Sequence, residues 1–360
     1  MEPPKKRQSA AGSELARDNP LEFASLRGWA EDDHLAAFCV FYRSAALVLQ
    51  QSESHIAANS SPVPAGTSDD REPFKECARR ALADPALSAA QAKRFFEENF
   101  ALQALGPTES YDGFLTGYFE PELSASLTRT DQYTVPLYKV PPALVNNPND
   151  LFHLDRAAIQ AGALEGQDLE LVWLKDKSDV YFVHVQGSAR LILENGHAMR
   201  VAFAAKTGHE YTSLGKVLCE RLNSAPADMT GDVLADWMRT HPHEIDDLMA
   251  LNQSYIFFKE QQNLQADDGP VGAGGVPLSA GRSLAIDHKI HPYGLPIWLS
   301  TPEPVVNNGS ADRLMITQDT GSAIVGLQRS DIFVGSGRSA GLTAGRIQSP
   351  ARMILLVPNP

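Results

Sequence analysis

The chain has 360 residues, 43% of them hydrophobic and 21% charged, so it can bury a substantial core in one or two domains. Its 44 acidic residues outnumber its 31 basic ones, for a net charge of -13, and this balance argues against a nucleic-acid partner because a phosphate backbone repels an acidic protein. The longest apolar runs fall far short of the roughly 20 residues that span a bilayer, which argues against a transmembrane segment.

Up to about residue 103, the chain has a helical pattern. Apolar side chains recur at helical spacing over residues 35–49, behind two aspartates that could cap a helix. A second helix is predicted after Pro73, and a third opens with Ser88 in capping-box register with Gln91. The segment 52–72 is rich in Ser, Pro and Gly, which predicts a flexible loop between the first two helices.

After Tyr111 the pattern changes to short β-branched and aromatic runs, separated by Gly, Pro, Asn and Asp. Residues 114–123, 180–193 and 295–301 are examples, and such runs predict the strands of a β-barrel or sandwich. One helical interlude is predicted from residue 230 to about residue 251. The sequence therefore predicts a helical extension followed by a mainly β region.

The three cysteines, Cys39, Cys77 and Cys219, give an odd count. Cys39 and Cys77 lie in neighbouring predicted helices and could pair in an oxidising compartment, but the sequence favours three buried free thiols. The residues after Met1 lack an apolar h-region and a small-residue cleavage site. Either the protein is cytosolic, or this sequence does not include its signal.

Asp319 lies in the tetrapeptide D-T-G-S, which aspartic proteases place around a catalytic carboxylate. A protease of that class needs two carboxylates that share a proton, supplied by two copies of the motif or by a small homodimer. This chain has one copy and is too long for the homodimeric kind. The motif therefore does not predict a protease.

Three further motifs also fail on inspection. Residues 337–341 spell the nucleophile elbow G-x-S-x-G, but the last histidine, His291, precedes the serine instead of following it. Too little chain follows the G-x-G-x-x-A match at Gly335 for a dinucleotide-binding βαβ unit, and we interpret both matches as a Gly/Ser-rich loop. His288 and His291 lack the further ligands that zinc needs, so no metal site is predicted.

Asp331 lies in a different setting from these motifs. Apolar, strand-like residues 332–334 follow it, and Gly335 then opens the backbone. A carboxyl against apolar walls is destabilised in its charged form, so its pKa should rise toward the range in which it can donate a proton. Asp319 begins a turn, where aspartates often accept backbone N–H bonds, and we assign it a structural or auxiliary role.

A single proton donor fits the cleavage of a glycosidic bond, because the leaving oxygen needs a proton as an oxocarbenium-like state forms. Ordinary glycosidases add a second carboxylate that acts as base or nucleophile. One carboxyl suffices only if the nucleophile belongs to the substrate. Tyr118 and Phe333 are among the aromatic side chains that could supply faces for sugar rings.

Six sequence blocks follow one another between Tyr111 and Val357: LTGYFEPEL, VHVQGSARL, GHEYTSLGKVL, NQSYIFF, GRSLAIDHKIHPYGLPIWL and ITQDTGSAIVGLQRSDIFVGSG. In their order and spacing they resemble the membrane-bound lytic murein transglycosylase A (MltA) family. The resemblance implies a mainly β fold, in which a second, smaller β-barrel domain interrupts a double-psi β-barrel and the glycan strand binds in the groove between them.

Mapped onto this chain, the resemblance predicts a helical N-terminal extension over residues 1–103. The double-psi β-barrel would take residues 104–140 and 251–360, and the inserted domain residues 141–250. Val325 stands where the family often has a lysine, so this chain lacks that charge.

Enzymes of the family that this chain resembles cleave the β-1,4 bond between N-acetylmuramic acid and N-acetylglucosamine in peptidoglycan without water. The muramyl C6 hydroxyl attacks its own anomeric carbon and leaves a 1,6-anhydro end. The resemblance maps the family's catalytic aspartate to Asp331, which would protonate the leaving oxygen and then accept the C6 hydroxyl proton. It maps a second aspartate to Asp319, which we expect to support the site or the developing positive charge. No cofactor is implied.

The same residue-by-residue match predicts a set of substrate-binding residues: Tyr118, Gln186, Gly187, Ser188, Tyr211, Ser213 and Lys216. Gln and Ser side chains suit the hydroxyl and acetamido groups of sugars, and polar residues at strand ends also form turns.

The resemblance further implies a periplasmic protein of the cell envelope, a monomer that acts on peptidoglycan glycan strands and that cell-wall synthesis or division proteins can recruit. Family members are usually lipoproteins, but no lipobox cysteine begins this chain. Two other functions stay open. The protein could be a non-catalytic peptidoglycan-binding module on the same fold, or a hydrolase that uses water with Asp319 as its second carboxylate.

Overall fold

A computed structural model describes most of the chain. The described residues are 21–50, 72–106, 110–146, 154–225, 228–262, 264–265, 268–302 and 312–359. Apart from Glu72, the predicted flexible loop 52–72 lies outside these ranges.

The α-helices of these ranges are α1 (His34–Gln50), α2 (Glu72–Ala83), α3 (Ala89–Asn99), α4 (Pro142–Asn146), α5 (Arg156–Gln160), α6 (Lys177–Gln186), α7 (Leu214–Leu222), α8 (Gly231–Thr240), α9 (Ile245–Ala250) and α10 (Gly337–Ala344). The strands are β1 (Phe100–Ala104), β2 (Gly113–Glu120), β3 (Glu122–Ala125), β4 (Val135–Tyr138), β5 (Glu170–Leu174), β6 (Ser188–Leu193), β7 (Ala198–Lys206), β8 (Ile256–Gln261), β9 (Ser283–Ile286), β10 (Pro296–Ser300), β11 (Arg313–Asp319), β12 (Arg329–Ser336) and β13 (Gln348–Pro358).

In the part of the chain that the structure describes, six strands close into a ring, in the order β13, β10, β11, β9, β12 and β2. The long strand β13 closes it, because one half pairs with β2 and the other half pairs with β10 and β1. The pairs β11–β9 and β12–β2 are parallel, and the others are antiparallel. Leu115, Leu284, Ile332 and Met353 belong to one buried cluster that these strands share. The ring agrees with the predicted double-psi β-barrel.

Between β2 and β9 the chain builds a second domain. Its strands β3, β6, β7 and β8 form one sheet, β4 and β5 form another, and a bridge between Ser126 and Trp173 joins the two. The prediction of a mainly β chain, in which a second domain interrupts a barrel, is thus confirmed. Strands β3, β4 and β8 lie within the ranges 104–140 and 251–360, yet their partners belong to these smaller sheets. The domain limits stay a prediction.

The predicted helices α1, α2 and α3 are present ahead of β1. Asp33 accepts a hydrogen bond from the Ala36 backbone N–H at 3.0 Å, and Ser88 caps α3, so local capping chemistry sets both starts. Aromatic side chains of these helices, such as Phe41 and Phe96, share a buried cluster with Trp298 of the barrel. The helices therefore cover one side of the barrel.

The prediction of a continuous strand over residues 180–193 is wrong. Helix α6 occupies Lys177–Gln186, and only Ser188–Leu193 forms a strand. The β-branched residues of this run favour a strand by propensity, but Val180, Val183 and their neighbours are buried on one helical face, and tertiary burial overrides a weak propensity. Gly187 ends the helix, since its φ of 76° is a left-handed conformation that glycine adopts without strain.

All three cysteines are free thiols. Cys77 and Cys219 are buried, as expected, but the expectation is wrong for Cys39, which is exposed. Each step along a helix turns about 100°, so the position next to the buried Phe38 points away from the packed face of α1. Burial raises the pKa of the Cys77 thiol to about 11, so it stays protonated at neutral pH.

Candidate active site

Asp319 and Asp331 lie on two strands of the barrel that flank one central strand. Strand β9 runs between β11 and β12, and its Ala285 is the register partner of both aspartates. Two strand spacings of about 4.8 Å each therefore separate the two aspartate backbones. The neighbours of Ala285 on β9, Leu284 and Ile286, point into the barrel core. Since successive residues of a strand alternate between faces, Ala285 belongs to the opposite face, outside that core.

The same outer face continues along the parallel pair β2 and β12. Its partners are, in order, Phe114 with Arg329, Thr116 with Asp331, and Tyr118 with Phe333. The intervening residues Leu115 and Ile332 are buried in the barrel core. We call these three pairs the β2/β12 ladder. The ladder places Tyr118 one pair beyond Asp331 on the same face. The rings of Tyr118 and its partner Phe333 are in contact, with their centroids 5.4 Å apart.

Asp331 has the raised pKa expected from its sequence context. Removal of water raises the pKa of its carboxyl to about 7, and the negative charge of Asp319 adds to the rise. The charge of Arg329 and a hydrogen bond with Thr116 oppose it. The Oδ1 atom of Asp331 is buried and has no hydrogen-bond partner among the described residues. A carboxyl with this pKa can both donate and accept a proton near neutral pH.

Asp319 is held by three hydrogen-bond donors. The Tyr118 hydroxyl donates to its Oδ2 atom at 2.9 Å, the Ala273 backbone N–H donates to its Oδ1 atom at 2.9 Å, and the Thr320 backbone N–H also contributes. Burial raises the pKa of Asp319, and these three bonds lower it. Burial and Asp319 in turn raise the pKa of Tyr118 well above its usual value, so the phenol stays protonated. The arrangement orients the Asp319 carboxyl toward the face that carries Asp331.

Of the V-Q-G-S block, the structure brings Gln186 to this region. Its side-chain oxygen accepts a hydrogen bond at 3.0 Å from the backbone N–H of Phe119, the residue after Tyr118. Gly187 ends α6, and its carbonyl accepts a hydrogen bond from Phe203. Ser188 is buried at the start of β6. Gln186 therefore contacts β2, a strand that carries the ladder.

The remaining predicted binding residues contact other parts of the second domain. Tyr211 hydrogen bonds with the Tyr181 hydroxyl. Ser213 caps α7, because its hydroxyl accepts a hydrogen bond from the backbone N–H of Lys216 at 3.4 Å, and the Lys216 side chain is exposed. The contacts that the structure describes for these residues do not reach either aspartate. Their role toward a substrate stays a prediction.

Sequence reasoning missed Thr116, Arg329 and Ala285. Thr116 and Arg329 lie two positions before Tyr118 and Asp331, so the two-residue period of a strand could have placed them on the same face. Nothing in the local sequence shows that Ala285 separates the two aspartates, since that depends on the order of strands in the ring. Lys206 was also missed; it extends from β7 of the second domain and donates to the Ser322 hydroxyl of the barrel at 3.0 Å.

The serine-elbow and histidine motifs, for which no function was predicted, have ordinary structural roles. Residues 337–341 form the first part of helix α10, so the expectation of a loop there is wrong. Ser336 adopts the extended conformation of a helix N-cap, and the glycines that follow it do not prevent the helix from forming. His291 is buried and pairs with the Leu327 carbonyl at 2.8 Å, and His288 contacts the Thr320 hydroxyl at 3.1 Å. Among the described residues, no group of three or more potential ligands could hold a metal ion.

Comparisons with known proteins identify two matching domains and several similar structures. The MltA specific insert domain matches residues 114–259, and the 3D domain matches residues 282–357. A crystal structure of the membrane-bound lytic murein transglycosylase from Agrobacterium tumefaciens has a TM-score of 0.80 and 34% identity, and the match covers 94% of this chain and 97% of that chain. This chain belongs to the MltA family.

A curated sequence and a crystal structure from Escherichia coli extend the comparison within the MltA family. The curated membrane-bound lytic murein transglycosylase A of strain K12 is 34% identical over 253 residues, which cover 68% of this chain and 66% of that protein. This chain thus spans slightly less than two thirds of that relative. The crystal structure of E. coli MltA with bound chitohexaose has a TM-score of 0.65 and 26% identity, with 90% of both chains covered. In the described part of this chain, no helix has the length and apolar content that a membrane crossing requires.

Proposed function

We propose that this protein is a lytic transglycosylase that cleaves the β-1,4 bond between N-acetylmuramic acid and N-acetylglucosamine in peptidoglycan. The single observation that carries the proposal is Asp331, a carboxyl with a pKa of about 7 on the outer face of the barrel. Membership of the MltA family, whose relatives are named lytic murein transglycosylases, supports the substrate class. The oligosaccharide bound to E. coli MltA supports a glycan as the ligand.

In the proposed reaction, Asp331 first donates its proton to the glycosidic oxygen, and the bond from that oxygen to the muramyl anomeric carbon breaks. The electron pair of the bond leaves with the oxygen, and positive charge develops on the muramyl ring. The Asp331 carboxylate then accepts the proton of the muramyl C6 hydroxyl while the C6 oxygen bonds to the anomeric carbon. The product is a 1,6-anhydro end, and Asp331 regains its proton, so no water is consumed.

Asp319 would act beside this proton transfer. Burial raises the pKa of Asp319, and three hydrogen-bond donors oppose that rise; in its charged form the carboxylate would stabilise the developing positive charge on the muramyl ring. Tyr118 positions that carboxyl through its 2.9 Å hydrogen bond. Gln186 would help to line the groove beside Tyr118, with Gly187 and Ser188 as the supporting turn.

Mass spectrometry of muropeptides released from purified sacculi tests the proposal. Anhydro ends support it, reducing ends indicate a water-using muramidase, and the absence of release together with binding indicates a peptidoglycan-binding module. We predict that Asp331→Asn lowers the release of anhydro ends by roughly 100-fold to 10,000-fold, because it removes the proton donor and keeps its size. Unchanged turnover in this variant would contradict the assignment of the acid.

Asp319→Asn is the matched comparison. It keeps the side-chain volume and removes the charge, so we expect a smaller loss of turnover than in Asp331→Asn. Both variants should still sediment with sacculi. An equal loss in the two folded variants would mean that the two carboxyls share the proton transfer.

The proposed substrate also implies a location. Peptidoglycan lies in the cell envelope, so we propose a periplasmic protein, and the relatives' description as membrane-bound agrees with that site of action. We further propose that it acts as a monomer that cell-wall synthesis or division proteins can recruit.

A further inference from the structure

An open pocket of about 380 Å³ lies at the end of the β2/β12 ladder that carries Phe114 and Arg329. Its walls come from the start of β2 and from the turn before β12, chiefly Phe114, Val325, Leu327 and Arg329. We call this concavity the edge pocket. Three of these side chains are unusually exposed for apolar residues, with exposed fractions of 70% for Val325, 45% for Phe114 and 44% for Leu327. Contiguous exposed apolar surface in a concavity indicates a binding site.

The side chain of Arg329 adds a positive charge to the edge pocket. The Arg329 guanidinium lies 5.3 Å from the centre of the Phe114 ring and donates hydrogen bonds to the Phe114 carbonyl, the Ser330 carbonyl and the Thr116 hydroxyl. Within the described ranges, Arg329 forms no salt bridge with a carboxylate. The acidic residue at the rim, Asp112, accepts a hydrogen bond from Ser110 at 2.6 Å. The pocket therefore combines apolar walls with one basic side chain, Arg329, and one acidic side chain, Asp112.

The edge pocket is one ladder step from the proposed acid. Phe114 pairs with Arg329, and the next pair on the same face is Thr116 with Asp331. Two residues along a strand span about 6.6 Å, which is about the width of one sugar ring. A group in the edge pocket would therefore be a substituent of the sugar held at Asp331, or of its direct neighbour.

We propose that the edge pocket binds the lactyl-peptide stem of the muramyl residue at the bond that is cleaved. This assignment rests on the proposed function. The glycan chain itself is uncharged apart from these stems, whereas a lactyl-peptide stem begins with methyl-bearing units and carries carboxylate groups. The methyl groups match the walls formed by Val325 and Leu327, and a carboxylate or peptide carbonyl matches the Arg329 guanidinium. The pocket thus selects peptide-bearing strands over stripped strands.

A binding experiment tests this assignment without turnover. Glycan strands with peptide stems, and the same strands stripped of stems by an amidase, are titrated against the Asp331→Asn chain. Added to that background, Val325→Asp places a negative charge beside the stem, at an exposed position that tolerates it. We expect Kd for stem-bearing strands to rise about tenfold relative to Kd for stripped strands, because like charges repel. Leu87→Asp, which changes an apolar side chain that is 81% exposed and far from the ladder in sequence, is the matched control and should leave the ratio unchanged.

The outcomes are distinct. If Val325→Asp weakens the binding of both kinds of strand equally, the edge pocket binds sugar and the stem assignment is wrong. If it weakens neither, or if the background chain does not prefer stem-bearing strands, the assignment is wrong as well. A wild-type chain that releases no anhydro ends would instead overturn the proposed function, and the ratio of dissociation constants would still be measurable.

Discussion

At the scale of single residues, the water-poor surroundings of Asp331 matter most. A carboxyl of ordinary pKa is ionised at neutral pH and cannot donate a proton. Burial raises the pKa of Asp331 to about 7, and Arg329 and Thr116 limit the rise. The sequence context of the aspartate was enough to predict the direction of this shift. The two-residue period of β12 could have placed Arg329 beside Asp331, but the contact with Thr116 could not be predicted, because Thr116 belongs to a distant strand.

The pKa of Asp331 predicts how activity depends on pH. In the proposed reaction the free enzyme must hold the proton of Asp331, so we expect kcat/KM for the release of anhydro ends to fall about tenfold per pH unit above about pH 7. Initial rates on purified sacculi between about pH 5 and about pH 9 measure this profile. A flat profile through neutral pH would contradict the proton-donor role.

The same shift predicts how stability depends on pH. The folded pKa lies above the unfolded one, so the contribution of this group to stability is complete below about pH 4 and is lost as the pH rises through about 7. Asp331→Asn stays neutral, and its melting temperature should therefore rise relative to wild type between about pH 5 and about pH 8, by an amount on the order of 5 °C. Calorimetry at both pH values measures the difference.

The control for this stability prediction is Asp236→Asn, at a side chain that is 79% exposed. Its melting curves should follow those of the wild type across the pH range. If the Asp331→Asn curves do the same, the Asp331 carboxyl is not shielded from water as described.

At the scale of elements, the sequence was sufficient to predict the helices from local interactions, but it was not sufficient to predict how the strands pair. The capping residue Ser88 and the apolar spacing of α1 were sufficient to predict helices, because both act within a few residues. The ladder between β2 and β12 depends on the register between two distant segments. A two-residue period identifies the faces of each strand, but several registers between the two strands satisfy it. The run that contains Val180 and Val183 was misassigned because burial on a helical face outweighed its β-branched composition.

Strand β9 keeps the two aspartates apart, and Ala285 is the residue between them. We predict that Ala285→Val lowers kcat/KM by at least about tenfold, because added methyl groups fill the space between the carboxyls, while a β-branched residue still suits a strand. Muropeptide release rates and urea unfolding measure the two effects separately.

The variant Ala285→Gly distinguishes the effect of side-chain size on activity from the effect of lower stability. Glycine costs roughly 0.5–1 kcal/mol in a strand but leaves the space open, so this variant should keep more activity than Ala285→Val at similar stability. Equal activity losses in the two variants would show that the spacing between the aspartates is not limiting.

At the scale of the whole molecule, a buried carboxylate joins the two domains. Glu120 ends β2 on the barrel side, and the Ser336 hydroxyl donates to it at 2.6 Å. Two arginines of the second domain approach it, Arg200 at 3.4 Å and Arg190 at 3.8 Å. Burial raises the pKa of Glu120, and Ser336 and the arginines oppose that rise. Together with the bond from Lys206 to Ser322, this cluster fixes the second domain against the face that carries the aspartates.

We predict that Glu120→Gln lowers the free energy of unfolding by about 1–3 kcal/mol, since it leaves buried arginine charge without its partner. Urea denaturation of the whole chain measures the change. Glu122→Gln is the matched control, because its side chain is 45% exposed and lies 4.0 Å from Arg190, and its effect should stay within about 0.5 kcal/mol. Equal changes in the free energy of unfolding for the two variants would mean that the burial of Glu120 does not contribute to stability.

The closure of the ring by β13 also has a consequence for biosynthesis. This strand follows every other strand of the ring along the chain, and its two halves pair with β2 and β10. While the ribosome is still making β12, no complete ring can exist, because only β13 joins β2 to β10. The second domain, whose strands are complete by Gln261, can fold before then. A nascent chain can therefore carry a folded insert before it carries a closed ring.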